Sequence, residues 1–120
     1  MKRKILIVED NMSLSQMQKD WFSQAGYDAM TAMSEPTARA LIRKTRFDLI
    51  LSDVRLPEGD GISLLEWLRK EKNDTPFIIT TEYVSVPDVV RTIKLGAIDY
   101  LPKPVHRNTC WNWRKRYSGQ

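Results

Sequence analysis

Short apolar runs that alternate with helix-like stretches restrict the fold of this chain more than any other feature. Two of the runs, Ile5–Val8 and Leu49–Leu51, contain no charged residue, which is typical of strands buried on both faces. The stretches between the runs carry apolar residues at helical spacing. Strands that alternate with helices favour a parallel sheet covered by helices on both faces. We therefore expect one α/β domain that spans residues 1–120.

Five strands are predicted from apolar runs that end near glycine, proline or a helix cap. They are Lys4–Val8, Tyr27–Ala32, Phe47–Ser52, Thr75–Thr80 and Ile98–Leu101. Pro57, Gly59 and Gly61 mark a loop after the third strand. The chain contains no repeat and no low-complexity segment that would divide it into smaller units.

Five helices are predicted to follow the five strands. Asn11 is a good cap for the first helix, which Gly26 ends, and Ser34 caps the second. The third helix follows the loop. Ser85 and Asp88 form a capping-box pattern at the start of the fourth helix, and a fifth starts after residue 104.

Composition indicates the cellular compartment in which the chain is expected to work. A single cysteine, Cys110, excludes an internal disulfide and suits a reducing compartment. No apolar run approaches the ~18 residues of a membrane span, and the N-terminal run is too short for a signal peptide. These features predict a cytoplasmic protein with no membrane partner.

Charge is unevenly distributed along the chain. Residues 1–102 hold 14 Lys and Arg against 15 Asp and Glu, whereas residues 103–120 hold five basic residues and no acid. A basic tail can bind nucleic acid, but five charges make a thin electrostatic footprint. A solvated last helix with cations near its C-terminal end explains the tail better.

Three carboxylates are expected to meet at one edge of the predicted sheet. Glu9 and Asp10 follow the first strand directly, and Asp53 follows the third. Open α/β sheets place their sites at the carboxyl ends of parallel strands. Because crowded carboxylates repel one another and supply only oxygen ligands, they indicate a Mg²⁺ site. A carboxylate beside Mg²⁺ can also act as a nucleophile toward phosphorus.

The order of these acids and of several later residues closely resembles the receiver domain of bacterial two-component response regulators. The matching residues are Glu9-Asp10, Asp53-Val54-Arg55-Leu56-Pro57 with Gly61, Thr81, and Tyr100-Leu101-Pro102-Lys103-Pro104. The resemblance covers the chain up to about residue 105. Each motif is weak alone, and their occurrence in order at successive strand ends is specific. The resemblance implies a flavodoxin-like three-layer sandwich with strand order 2-1-3-4-5.

The resemblance also implies a role for each matching residue. Asp53 would be the phosphoacceptor that takes a phosphoryl group from a sensor histidine kinase or a phosphotransfer protein. Glu9, Asp10, Asp53 and the backbone carbonyl of Arg55 would bind Mg²⁺, with Asp10 direct and Glu9 partly through water. Thr81 and Lys103 would each contact a phosphoryl oxygen. Such a domain is a phosphoacceptor switch that catalyses its own phosphorylation and dephosphorylation.

Further implications of the resemblance concern switching and partners. Tyr100 would turn inward once Thr81 moves toward the phosphate. The surface of the fourth helix, fifth strand and fifth helix would change and could support a homodimer. The chain is either a stand-alone regulator or the receiver part of a longer protein. The segment Asp53–Gly61 resembles receivers of transcription activators, which favours a DNA-binding output domain in a longer parent protein. A cis bond between Lys103 and Pro104 is also implied.

Two other functions fit part of the pattern. An aspartate-nucleophile phosphatase also places Asp and Mg²⁺ after an apolar strand, but such enzymes have Asp-x-Asp, and position 55 is Arg. A pseudo-receiver would bind partners without taking phosphate, yet all the acids, Thr81 and Lys103 are present. Taken singly, each residue also has an ordinary structural explanation, such as a helix cap, a turn residue or a solvated lysine.

Two features depart from the family pattern. Glu82 stands after Thr81, where the family usually has a small residue, and an acid there could slow the entry of anionic donors. The segment 109–117 is rich in Trp and Arg, and Arg114 falls where receivers usually have an apolar residue. Trp111 in this segment is as consistent with a core position as with a contact surface.

Overall fold

The computed structural model describes residues 3–103, which form five strands and four helices. The strands are β1 (Lys4–Val8), β2 (Asp28–Ala32), β3 (Leu49–Asp53), β4 (Phe77–Thr81) and β5 (Asp99–Pro102). The helices are α1 (Met12–Gln24), α2 (Glu35–Lys44), α3 (Gly61–Lys70) and α4 (Val86–Lys94). Strands and helices alternate throughout, as predicted.

All neighbouring strands of the single sheet are parallel, in the order β2-β1-β3-β4-β5. This arrangement confirms the predicted α/β fold and strand order 2-1-3-4-5. The registers pair Val8 with Ser52 and Asp53 with Thr80. The carboxyl ends of β1, β3 and β4 therefore lie side by side, which is the edge where the sequence places its acids.

The sheet is buried on both faces, so the fold has three layers. Alternate residues of β1 point to opposite faces, because side chains alternate along a strand. Ile5 and Ile7 join a core cluster with Phe22 of α1, and Leu6 joins a second cluster with Leu65 of α3. The two clusters attach helices to both faces and hold the strand ends in fixed positions.

The first two helix caps form as predicted. The Asn11 side chain accepts a hydrogen bond from Leu14 N, and the Ser34 side chain accepts one from Thr37 N. Gly26 follows the end of α1 with a φ of +93°. The predicted capping box at α4 is wrong, because Ser85 makes no side-chain cap bond. A capping box would need the Ser85 hydroxyl to accept from the N–H of Asp88 at the third helical position, and Pro87 at the second position has no N–H that could replace it.

Several predictions lie outside the described residues. They are the fifth helix after residue 104, the cis bond at Pro104, and the packing of Cys110, Trp111 and Arg114. Among residues 3–103, no helix is both long enough and apolar enough to span a membrane.

Candidate functional site

The three predicted carboxylates converge at the carboxyl edge of the sheet. Glu9 and Asp10 follow β1, and Asp53 is the last residue of the adjacent strand β3. One oxygen from each of the three lies within 4.8 Å of the others. Glu9 and Asp53 are buried, whereas Asp10 is exposed. This oxygen-only set, open on the Asp10 side, fits the preference of Mg²⁺ for carboxylate and water ligands.

Lys103 brings a positive charge into the acidic cluster. Its ammonium donates to Glu9 Oε1 at 2.7 Å and to Asp53 Oδ2 at 2.8 Å. The Lys103 backbone N–H donates to the Thr81 carbonyl at 2.7 Å, which fixes the end of β5 beside β4. Lys103 thus joins three strand ends, although 94 residues separate it from Glu9.

Burial and ion pairing shift the pKa values of Glu9 and Lys103. Burial of the Glu9 carboxylate raises its pKa, and the hydrogen bond from Lys103 offsets this only in part. Burial alone would lower the pKa of Lys103, but its bonds to Asp53 and Glu9 raise it overall. Lys103 is therefore charged throughout the neutral range, and its stabilising contribution is lost only as pH rises through its elevated pKa.

Glu9→Gln is expected to flatten part of the pH dependence of stability. A raised pKa means that folded Glu9 retains its proton longer than unfolded Glu9 does, so Glu9 lowers the free energy of unfolding as pH rises above 4.5. We expect the stability of Glu9→Gln relative to wild type to increase as the pH rises from 4.5 toward the raised pKa of folded Glu9. Urea unfolding between acid and neutral pH without Mg²⁺ measures this, and a constant difference would contradict it.

Thr81 ends β4 beside the acidic cluster. Its hydroxyl donates to the Tyr83 carbonyl at 3.0 Å and accepts from the Tyr83 N–H at 3.2 Å. The neighbouring Thr80 hydroxyl instead donates to the Ser52 carbonyl at 3.4 Å. Thr81 lines the same cavity as Asp53, and Thr80 does not. Thr80 therefore faces away from the pocket, in keeping with the alternation of side-chain directions along a strand.

A cavity of about 300 Å³ lies over Asp53. Its lining residues come from three strand ends and the loops after β3 and β4, namely Asp10, Asp53, Arg55, Leu56, Pro57, Thr81, Glu82 and Tyr83. The guanidinium of Arg55 lies over the Tyr83 ring at 5.2 Å, which joins the two loops. Tyr83 is not predictable from the sequence, since no local pattern shows that it contacts Arg55, 28 positions earlier.

A larger cavity, of about 790 Å³, lies elsewhere and includes none of the predicted site residues. It opens at the amino ends of the strands, between Arg3 and the loops before β3 and β4. Size alone therefore does not identify the site. The clustering of carboxylates, Lys103 and Thr81 around the smaller cavity does.

Gly61 permits the loop after β3 to close against the end of that strand. Its N–H donates to the Val54 carbonyl at 2.8 Å. A Cβ atom at Gly61 would lie 2.8 Å from Ser52 Oγ and would overlap the Asp53 carbonyl oxygen. Any larger residue would push the backbone of Asp53 away. Sequence analysis assigned Gly61 to the loop, whereas it is the first residue of α3.

Tyr100 is half-buried and packs against the core cluster that contains Leu65 and Ile79. Its hydroxyl oxygen is buried and has no hydrogen-bond partner among residues 3–103. The ring therefore already points inward while the Thr81 hydroxyl remains bonded to Tyr83.

Comparison with known proteins establishes the family. The sequence profile of the response regulator receiver domain matches residues 5–112. The chain belongs to this family. The Response regulator protein PilR of Pseudomonas aeruginosa is 33% identical over 104 residues, which are 87% of this chain and 23% of PilR. The regulatory protein AtoC of Escherichia coli is 36% identical over 101 residues, 84% of this chain and 22% of AtoC.

Solved receiver structures share the fold along nearly the whole chain. The CheY-like receiver domain from Methanospirillum hungatei superimposes with a TM-score of 0.91 at 29% identity, covering 97% of this receiver and 93% of that chain. The non-phosphorylated HemR receiver domain from Leptospira biflexa gives 0.88 at 34% identity, covering 96% and 93%. The chain spans only about a quarter of the length of PilR and AtoC, so those relatives contain further regions.

Proposed function

We propose that Asp53 of this receiver accepts a phosphoryl group from a phosphohistidine of a sensor histidine kinase or a phosphotransfer protein. The convergence of Glu9, Asp10 and Asp53 beside the Lys103 ammonium supports this role. A carboxylate oxygen of Asp53 attacks phosphorus as the P–N bond breaks, and the bonding pair leaves with the donor imidazole. The product is an acyl phosphate on Asp53, and the free imidazole of the donor is released.

The residues around Asp53 would each have a separate role in this transfer. Mg²⁺ held by Glu9, Asp10, Asp53 and the Arg55 carbonyl would neutralise charge on the transferring group. Lys103 keeps its ammonium against Asp53 Oδ2 and can contact a phosphoryl oxygen as a point charge. The Thr81 hydroxyl must leave the Tyr83 carbonyl to donate to another phosphoryl oxygen. Hydrolysis at the same site would return the domain to its resting form.

Phosphorylation of Asp53 would change the surface of the domain through Thr81, Tyr100 and α4. Movement of Thr81 would alter the β4–α4 loop and the contacts of Tyr100, which lies on β5 next to α4. Val86 and Ile93 of α4 are exposed apolar residues on this surface. We propose that the surface pairs two copies of the domain or contacts an output domain. Because PilR and AtoC are regulators with further regions, a DNA-binding output domain in a longer parent is the partner we favour.

Incubation with Mg²⁺ and acetyl phosphate, followed by intact mass measurement, tests the proposed transfer. One phosphoryl group on Asp53, present with Mg²⁺ and absent with a chelator, is the expected result. A folded protein that gains no phosphoryl group would favour a binding module without phosphotransfer. Continuous hydrolysis of many phosphate esters without a lasting adduct would favour the phosphatase alternative.

Glu82→Ala is expected to speed phosphorylation by acetyl phosphate. The exposed Glu82 side chain lines the cavity with Asp53 and Thr81, so its charge repels anionic donors. Exposed charges interact weakly, so the expected gain is roughly twofold. Glu71→Ala is the matched control, since Glu71 is an exposed acid at the far end of α3. Equal rates in wild type and Glu82→Ala would show that Glu82 does not restrict access.

A further inference from the structure

Glu35 is an unusually buried acid at the start of α2. It is the first residue of that helix, where an acid normally faces solvent near the positive end of the helix dipole, yet it is only 5% exposed. Its Oε1 accepts from the Asp60 N–H at 3.0 Å. Its backbone N–H donates to the Glu58 carbonyl at 3.2 Å. Glu35 therefore binds the loop after β3 through both its backbone and its side chain.

Gly59 leaves the space that the Glu35 carboxylate fills. A Cβ atom at Gly59 would overlap Glu35 Oε1, and its φ of +84° lies in the left-handed region that favours glycine. The missing side chain and the positive φ of Gly59 thus both allow Glu35 to approach the loop.

The second oxygen of Glu35 is held by α2 itself. Arg39 donates from Nε to Glu35 Oε2 at 2.9 Å and adds a second bond from Nη2. The Arg39 guanidinium also lies over the ring of Trp67 in α3, 5.0 Å from its centroid. Arg39 thereby fixes the direction of the carboxylate, so that Oε1 remains aimed at the loop.

The loop that Glu35 holds also carries the wall of the phosphorylation cavity. Arg55 pairs with Asp60 in an antiparallel bridge, so the two residues face each other across the loop. The Asp60 carboxylate accepts from Ser63 N at 2.7 Å and caps α3. Fixing Asp60 therefore fixes Arg55, whose carbonyl is the proposed Mg²⁺ ligand.

We propose that Glu35 is a positioning residue for the metal site, acting through Asp60 on the Arg55 carbonyl. This inference rests on the proposed phosphotransfer function. Glu35 itself lines a separate cavity with Pro36, Arg39 and Glu58 and is absent from the lining of the phosphorylation cavity. Its effect is to hold the loop in the conformation that completes the metal site.

Mg²⁺ titrations of wild type, Glu35→Ala, Glu35→Gln and the control Glu71→Ala test the proposal. The backbone amide chemical shifts of Glu9 and Asp53 report Mg²⁺ binding, so the measurement does not rely on the fluorescence of Trp67. We expect Glu35→Ala to raise the Mg²⁺ dissociation constant about tenfold, as losses of groups that support metal ligands do. Glu35→Gln keeps an oxygen acceptor for Asp60 N–H and should stay within about twofold of wild type. Glu71→Ala should match wild type.

Hydrogen exchange gives a readout that general destabilisation does not reproduce. The Asp60 amide bonds to the Glu35 side chain, so Glu35→Ala should accelerate its exchange while amides of β1 and β4 remain protected. Gly59→Ala should raise the dissociation constant less in the Glu35→Ala background than in wild type, because the overlap with Glu35 Oε1 is then gone and only the backbone strain at Gly59 remains. If Glu35→Ala does not fold, Gly59→Ala carries the same test.

Different results would overturn the positioning role of Glu35 and the proposed phosphotransfer function. If wild type binds Mg²⁺ and takes phosphate, a folded Glu35→Ala protein with unchanged Mg²⁺ affinity overturns the positioning role. Equal losses in Glu35→Gln and Glu35→Ala also overturn it if the Asp60 amide stays protected from exchange in Glu35→Gln, since the Asp60 bond would then be irrelevant. If wild type neither binds Mg²⁺ nor takes phosphate, the proposed function fails, and the positioning role fails with it.

Discussion

Asp53→Asn is expected to abolish phosphorylation by acetyl phosphate while leaving the domain folded. The amide that replaces the carboxylate is not a nucleophile toward phosphorus, so the loss should be complete. The fold should persist, because Lys103 keeps its 2.7 Å bond to Glu9 and one of three clustered negative charges is removed. Intact mass after incubation with Mg²⁺ and acetyl phosphate measures the first effect, and thermal unfolding measures the second.

Asp28→Asn provides the matched control for this substitution. Asp28 is an exposed aspartate at the start of β2, at the edge of the sheet opposite Asp53. It should gain phosphate as wild type does. A phosphoryl group on the Asp53→Asn protein would place the acceptor elsewhere and would remove the central residue of the proposed mechanism.

The topology and the positions of the acids were predictable because both follow from short-range patterns. Buried parallel strands read as apolar runs, and β1 was predicted with its observed bounds, Lys4–Val8. Parallel strands also bring their carboxyl ends to one edge, so Glu9 and Asp53 could be placed together without knowledge of side-chain contacts.

Strand boundaries were less predictable because burial and backbone pairing do not start at the same residue. Phe47 is buried and was assigned to the third strand, but pairing of β3 with β1 begins where Ile5 faces Leu49. At the other end, Asp53 still pairs with Thr80 and belongs to the strand. An apolar pattern reports which residues are buried and not which ones form the ladder.

Contacts between separate loops could not be predicted from local sequence. Glu35 and Asp60 lie 25 positions apart, and the sequence pattern around Glu35 predicts only a helix first turn. The Arg55–Tyr83 contact likewise joins two loops with no shared motif. Such contacts depend on the distance between folded elements, which a periodic pattern does not encode.

Asp10→Ala is expected to weaken Mg²⁺ binding far more than Glu9→Ala does. Both Glu9 oxygens are already engaged, Oε1 by Lys103 and Oε2 by the Asn11 N–H at 3.1 Å. No described residue bonds the exposed Asp10 carboxylate, which is therefore free to bind a metal directly. A direct ligand should matter at least as much as a supporting group, so we expect a loss of at least about tenfold for Asp10→Ala.

Calorimetric titration with Mg²⁺ compares the two variants under identical conditions. Glu9→Ala should show the smaller loss, because we expect Glu9 to act partly through water, and another water can replace such a ligand. Phosphorylation by acetyl phosphate should fall in the same order, since charge on the transferring group is then less well neutralised. Equal Mg²⁺ affinity in wild type and Asp10→Ala would count decisively against a metal site at these acids, because Asp10 is the carboxylate left free for the metal.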